Sequence, residues 1–296
     1  MCHHRGMPVA PSIAVMGRRL VIVLVLATCA LTGCDGAPRA PEAAPPTPAL
    51  SESPSGSPRD EPSATLAPGV QPHVGGRPHI LFLGNSHTQR NDVPGTVAAM
   101  LLAGRPRIHA TVTTAPGLLH LNERATHEPT LSLLRSRHWD VVVMQAQNYS
   151  LSGASVYPND GSVALVRSVR EEGGLPVLYA EWPRRGIDET EIILDAYRAI
   201  ALQEPACLPP IPETFDHALA EDPRMRLRAS DGNHSSPAGA FLASLILYAT
   251  ISGDDVAQLP DLAIPGVPPE VQRRLRHMAA QELARIPAAR GCPEAS

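Results

Sequence analysis

The stretch of sequence that decides the fold is HILFLGNSHT, residues 79–88. An apolar run ends abruptly at Gly84, and Ser86 follows two residues later. A buried strand that ends in this way presents a hydroxyl group at the carboxyl edge of a parallel sheet, which is where open α/β folds keep their sites. The stretch therefore predicts an α/β fold with Ser86 at the sheet edge.

A second segment, Asp231-Gly232-Asn233-His234, lies towards the other end of the chain. A serine hydroxyl is a poor nucleophile near neutral pH and needs an adjacent base. The spacing lets the Asp231 carboxylate reach Nδ1 of His234, so that Nε2 of the same ring is free to face Ser86. The two segments together predict the catalytic triad Ser86, His234 and Asp231; taken alone, the second segment also fits a polar turn with a surface histidine.

These two motifs resemble the first and last blocks of the SGNH (GDSL-like) hydrolases, in a branch of bacterial esterases whose first block has Gly-Asn-Ser. The resemblance covers roughly residues 78–253 and implies a flavodoxin-like three-layer α/β/α sandwich that hydrolyses esters through an acyl-enzyme. Asn85 stands where the family usually has aspartate. Since this position is not catalytic in the family, the change puts little in doubt.

The oxyanion hole of that family is the part that this chain matches least well. The resemblance implies a glycine N–H after the second strand, for which Gly117 is the candidate, and the backbone N–H of the nucleophile. The third donor in the family is an asparagine amide, and here Gln147 is its positional match, with Gln145 and then Asn148 as competing choices. Gly117 also fits a simple turn, and the glutamines also fit residues that only satisfy backbone groups.

Short apolar runs alternate with helical patterns along residues 77–296, which predicts a central parallel sheet of about five strands with helices on both faces. The predicted strands are residues 79–83, 108–113, 140–144, 177–180 and, weakly, 207–211. The predicted helices are residues 92–104, 118–137 with a break near Pro129, 162–172, 188–204, 238–251 and 269–286.

The first 76 residues are unlike a folded domain. Arg18 and Arg19 precede the apolar run 20–31, which is too short to span a bilayer and is typical of a signal peptide. Leu-Thr-Gly-Cys at residues 31–34 resembles the lipoprotein processing box, so residues 1–34 are predicted to be a signal peptide with Cys34 as the lipidated cysteine. Residues 35–76 contain ten prolines and are predicted to be an extended linker that holds the domain off a membrane surface.

The composition of the chain limits which ligands and partners we expect. The net charge is −4 and no basic stripe is present, which argues against a nucleic-acid partner. His120 and His127 lack the pattern of a zinc site, and no phosphate-binding glycine loop is present, so we expect neither a metal nor a cofactor. Cys207 and Cys292 either pair in the exported domain or remain as two free buried thiols.

The sequence therefore predicts a serine esterase, exported and lipid-anchored on the extracytoplasmic face of the cell membrane. Its expected substrates are esters of short acyl groups, with a polysaccharide or small molecule as the alcohol. Two alternatives remain open: an O-acyltransferase with the same triad, and a surface-binding lipoprotein that keeps the fold without the chemistry. His87 and Trp182 are further candidates to contact substrate or simply to pack.

Overall fold

The computed structural model describes residues 66, 69, 74–104 and 107–293. These residues belong to one compact unit, Asp60–Ser296. The predicted signal peptide, Cys34 and most of the predicted linker lie outside the described residues.

The centre of the domain is a parallel four-stranded sheet in the order β2-β1-β3-β4. The strands are β1 (His79–Leu83), β2 (Thr111–Thr114), β3 (Val141–Met144) and β4 (Leu175–Leu178). Strand β1 is central, with Phe82 level with Thr114 on one side and with Val143 on the other. Because all four strands are parallel, their carboxyl ends meet at one edge, and the turn that carries Ser86 leaves that edge.

Successive residues of the central strands enter two different cores. In β1, Ile80 and Phe82 belong to one buried cluster, while Leu81 and Leu83 belong to another. This division follows from the period of two in a strand, where neighbouring side chains point to opposite faces. The sheet is therefore covered on both faces, and the predicted three-layer α/β/α sandwich is confirmed.

Helices of very different length cover these two faces. They are α1 (Ser86–Gln89), α2 (Val93–Ala103), α3 (Leu121–Arg124), α4 (Glu128–Arg135), α5 (Asp160–Glu171), α6 (Thr190–Ala201), α7 (Ile211–Glu221), α8 (Pro237–Ser252) and α9 (Pro269–Arg285). Helix α8 is buried from Gly239 onwards, which explains its almost wholly apolar sequence. No helix among the described residues has the length and apolar character needed to cross a membrane.

The predicted fifth strand is the main departure from expectation. Its first residue, Cys207, makes a single parallel bridge to Val177 in β4, and helix α7 already begins at Ile211. Pro209 and Pro210 lie between, and proline has no N–H to continue a ladder. The described residues therefore contain four strands rather than about five, and the sequence did not predict helix α7.

Two features tie the ends of the domain to its body. A disulfide bond joins Cys207 to Cys292, so the pairing that the sequence left open is present. At the other end, Val74 N donates to Ile251 O (3.4 Å) and Gly76 O accepts from His109 N (3.0 Å). These last residues of the predicted linker are thus attached to the domain.

Candidate active site

The nucleophile turn is held in place by close packing directly after β1. Ser86 is the first residue of α1, and the side chain of Asn85 caps that helix by accepting from His87 N (3.0 Å). A Cβ atom added at Gly84 would lie 2.1 Å from Thr88 Oγ1, so only glycine fits there. The turn that presents the serine thus depends on Gly84 and Asn85 together.

The two sequence motifs meet at this edge of the sheet. His234 Nε2 lies 2.8 Å from Ser86 Oγ, although the residues are 148 positions apart in the chain. His234 Nδ1 lies 3.0 Å from Asp231 Oδ2. Since the carboxylate can only accept, Nδ1 carries the proton and Nε2 is free to accept the proton of the serine hydroxyl.

Asp231 is fixed by its own turn. Its Oδ1 atom accepts from the backbone N–H groups of Asn233 and His234, both at 2.9 Å, and Arg90 Nη1 lies 3.0 Å from Oδ2. The hydrogen bond from Asn233, with that from the His234 ring, lowers the pKa of Asp231 far below its ordinary value. The carboxylate is therefore charged at every pH at which the imidazole could act as a base.

His87 forms an aromatic stack with the predicted base. Its ring lies 4.9 Å from that of His234 at an interplanar angle of 22°, and Trp182 packs against it at 5.4 Å. Nε2 of His87 is 3.3 Å from Asn233 Oδ1, and Trp182 Nε1 donates to Asn233 O (2.8 Å). Burial lowers the pKa of His87 and so favours its neutral form beside His234. His87 and Trp182 therefore orient the loop that carries the base.

The two candidate glutamines, Gln145 and Gln147, make different hydrogen bonds. Gln145 is fully buried below the nucleophile turn, where Oε1 accepts from Asn85 N (3.0 Å) and Thr88 Oγ1 (2.9 Å). Its Nε2 group has no hydrogen-bond partner among the described residues. Gln147 instead uses its amide on Ser162 Oγ (2.6 Å) and the carbonyl of the next residue (3.1 Å). Both side chains are enclosed by the protein, so the third oxyanion donor, Gln147 or Gln145, stays a prediction.

Gly117 lies in the loop after β2, with a φ of 82° that favours glycine. Arg124 holds this loop against the nucleophile turn, because its Nη2 atom donates to both Gly84 O (2.6 Å) and Gly117 O (2.9 Å). The Arg124 side chain is completely buried, and its Nη1 atom donates to Thr130 Oγ1 and Pro116 O. One guanidinium group thus joins the loop that carries Gly117 to the turn that leads to Ser86.

Sequence reasoning missed two residues that shape this edge. The sequence gave no indication that Arg124 is buried at the site, because an arginine in a predicted helix is usually solvated. Tyr197 lies in a predicted helix and the sequence gave no sign of a polar role for it, yet its hydroxyl accepts from Ala146 N and Gln147 N and donates to Glu181 Oε2 (2.8 Å). Ala146 has a φ of 83°, which is strained for a residue with a Cβ atom, and these hydrogen bonds stabilise it. In the described part of the chain, no cluster of three His, Cys, Asp or Glu could hold a metal ion.

Solved structures provide the comparison with known proteins. A DUF4886 family protein from Bacteroides uniformis matches 72% of this chain and 96% of its own at 16% identity, with a TM-score of 0.57. At this level of identity the likeness shows a shared fold alone. A candidate SGNH hydrolase from Slackia heliotrinireducens matches 59% of this chain and 98% of its own (27% identity, TM-score 0.48). The esterase EstA from Pseudoalteromonas matches 58% and 95% (15% identity, TM-score 0.44). No protein-family model and no curated protein sequence matches the chain.

Proposed function

We propose that this protein is a serine esterase that works through an acyl-enzyme. The observation that carries the proposal is the continuous chain of hydrogen bonds from Ser86 Oγ through His234 to Asp231, at 2.8 and 3.0 Å. These distances are within the range over which a base activates a nucleophile. The alternative, a polar turn with a surface histidine, does not account for a serine hydroxyl at Nε2.

In the first half of the reaction, Ser86 Oγ attacks the ester carbonyl while His234 Nε2 takes its proton. Asp231 stabilises the imidazolium that forms and keeps the ring in the productive tautomer. The imidazolium then gives its proton to the alkoxy oxygen as the carbon–oxygen bond breaks, and the alcohol leaves. The acyl group remains on the serine.

The carbonyl oxygen becomes negatively charged during the attack and needs fixed donors. We assign the backbone N–H groups of Ser86 and Gly117 to this role, with the side-chain amide of Gln147 or Gln145, after β3, as the third donor. Preorganised donors of this kind are worth roughly 10²–10³ each in turnover. In the second half, His234 activates a water molecule, which attacks the acyl-enzyme and releases the acid.

We further propose that the substrates carry short acyl groups on a carbohydrate at the cell envelope, with the enzyme anchored through lipid on Cys34. The support for the location is the sequence of residues 18–34, which resembles a lipoprotein signal. Metabolic labelling with palmitate should mark the full-length protein and fail with Cys34→Ser. Labelling of the Cys34→Ser variant would place the lipid elsewhere.

The activity is tested by comparing Ser86→Ala with Ser168→Ala, a control serine exposed on α5. Ser86→Ala should keep the fold and lose roughly 10⁶ in turnover on ethyl acetate, whereas the control should match the wild type. A fluorophosphonate probe should label the wild type and the control but not Ser86→Ala. Failure of the wild type to react with the probe would favour a non-catalytic binder, and transfer to an added sugar faster than to water would favour an acyltransferase.

A further inference from the structure

A cavity of about 440 Å³ opens beside the triad. Its lining includes His87, which stacks on His234, and Asn233, which precedes His234 in the chain. The far wall comes from the loop between β3 and α5, with Tyr149 and Tyr157. Which part of a substrate this cavity binds depends on its position relative to the ester bond, so its assignment rests on the proposed esterase function.

The position of the cavity assigns it to the alcohol part of the ester. The leaving oxygen must receive its proton from His234 Nε2, so the alcohol has to lie on the histidine side of the nucleophile. The cavity is on that side, since both His87 and Asn233 contact or adjoin the base. A separate surface depression that includes Thr114 and Gly117 lies at the end of β2, where the proposed oxyanion donor is found.

Arg184, the cationic side chain in the cavity wall, forms an ion pair with Glu189, which lies outside the lining. Glu189, whose side chain is fully buried, accepts from Arg184 Nη2 (2.9 Å) and from Tyr149 OH (3.3 Å). Burial opposes the ionisation of Glu189, but the hydrogen bonds and charge of Arg184 outweigh it and lower its pKa. Arg184 Nη1 has no partner among the described residues, so this side of the guanidinium remains available to a ligand.

The cavity wall also contains a hydrogen-bond acceptor. Glu181 lines the cavity and uses one carboxylate oxygen to accept from Tyr197 OH (2.8 Å). A long alkyl chain would cover these polar groups without replacing their hydrogen bonds to water, which is costly. An anionic alcohol would meet the carboxylate of Glu181, while the charge of Arg184 is already balanced by Glu189. A neutral molecule with several hydroxyl groups is the one that both donates and accepts.

Two tyrosines add flat apolar faces to this polar wall. Tyr157 is 44% exposed, and Tyr149 is partly buried beside it in the lining. Ser150 and Ser152 bring hydroxyl groups to the same wall. We propose that this cavity is the alcohol subsite, and that it binds a neutral sugar whose ring packs on Tyr157 and whose hydroxyl groups bond to Arg184 and Glu181.

The test uses three acetate esters that differ only in the alcohol: ethyl, hexyl and methyl glucoside. In the wild type, kcat/KM should be at least about tenfold higher for the acetylated glucoside than for ethyl acetate, and no such gain should appear with hexyl acetate. Tyr157→Ala should lower kcat/KM for the glucoside ester about 3- to 10-fold, the value of one aromatic contact, and lower kcat/KM for ethyl acetate by less. Val156→Ala is the matched control, because this neighbour is 93% exposed and is not in the lining.

The outcomes separate the subsite from the proposed function. Hydrolysis of all three esters at similar rates, or a preference for hexyl acetate, would overturn the sugar subsite and leave the esterase intact. An equal effect of Tyr157→Ala on ethyl and glucoside esters would also overturn it, because ethanol has no ring to pack on the tyrosine. Absence of hydrolysis with every ester would refute the esterase itself.

Discussion

Replacement of Asp231 by asparagine tests the triad at the atom that sets the histidine tautomer. An asparagine Oδ1 would still accept from the N–H groups of Asn233 and His234, which now lie 2.9 Å from that position. The turn should therefore persist. The other branch becomes an NH₂ group facing His234 Nδ1, and two donors cannot share a hydrogen bond. The ring proton moves to Nε2, where it blocks the acceptance of the proton from Ser86.

The expected fall in kcat is large and the expected fall in stability is small. A wrong tautomer in a serine triad costs about 10⁴ in turnover. The substitution also removes the ion pair with Arg90, in which both side chains are nearly half exposed, and pairs as exposed as this one add little to stability. The measurements are steady-state hydrolysis of ethyl acetate at neutral pH and urea denaturation of both proteins.

Arg90→Gln provides the matched control, since it removes the same ion pair and leaves the carboxylate. Its kcat should stay within about fivefold of the wild type, because the Asp231–His234 contact is unchanged. If Asp231→Asn kept more than a tenth of the wild-type rate, or if Arg90→Gln reduced kcat as much as Asp231→Asn, the tautomer argument would be wrong.

The same carboxylate predicts a difference in acid stability. Because the pKa of Asp231 is lower in the folded protein than in the unfolded chain, its stabilising effect is present above about pH 4 and is lost as the pH falls below that value. The Asp231→Asn variant has no such group to titrate. Between pH 4 and pH 2 its free energy of unfolding should fall less steeply than that of the wild type, as measured by urea denaturation.

Three further predictions concern the residues around the triad and the disulfide bond. His87→Ala should lower kcat up to about tenfold with little change in KM, because it removes one ring from the stack on the base; an unchanged kcat would show that the stack only fills space. Gln145→Leu should lower the free energy of unfolding by about 2–4 kcal/mol, since it leaves two buried donors unpaired, and should reduce kcat more than tenfold, whereas Gln147→Leu should keep kcat within about threefold. The reverse order would make Gln147 the oxyanion donor. Replacing Cys207 and Cys292 by alanine should lower the free energy of unfolding by about 2–5 kcal/mol in urea, and no change would mean that the bond does not restrain the chain.

The sequence predicted the features that depend on local pattern. The run at residues 79–83 and the glycine after it placed β1 and Ser86 correctly, because strand burial and a close turn leave clear marks in the residues. Residues 231–234 predicted the contact between Asp231 and His234, because the two residues are only three positions apart. Local spacing is sufficient where all partners lie within one turn.

Several features that depend on long-range contacts were not predicted. Nothing near Arg124 in the sequence indicates a buried guanidinium that donates to Gly84, 40 positions away. The choice between Gln145 and Gln147 depends on which side of the sheet edge each amide faces, and β3 ends before either residue. The prediction of a fifth strand was wrong because Pro209 and Pro210 interrupt the ladder. The apolar residues around them fit a strand, but the two prolines lack the N–H groups that a ladder needs.

The separation of 148 positions between the nucleophile and its base has a consequence for biosynthesis. A chain released from the ribosome before residue 234 has the hydroxyl but no imidazole to activate it, so we expect truncated products to lack the proposed esterase activity. Contacts between such distant segments also form late, because the chain entropy lost in closing them must be overcome first. Recovery of hydrolysis after denaturation therefore reports that the whole domain has folded, whereas recovery of helical signal alone does not.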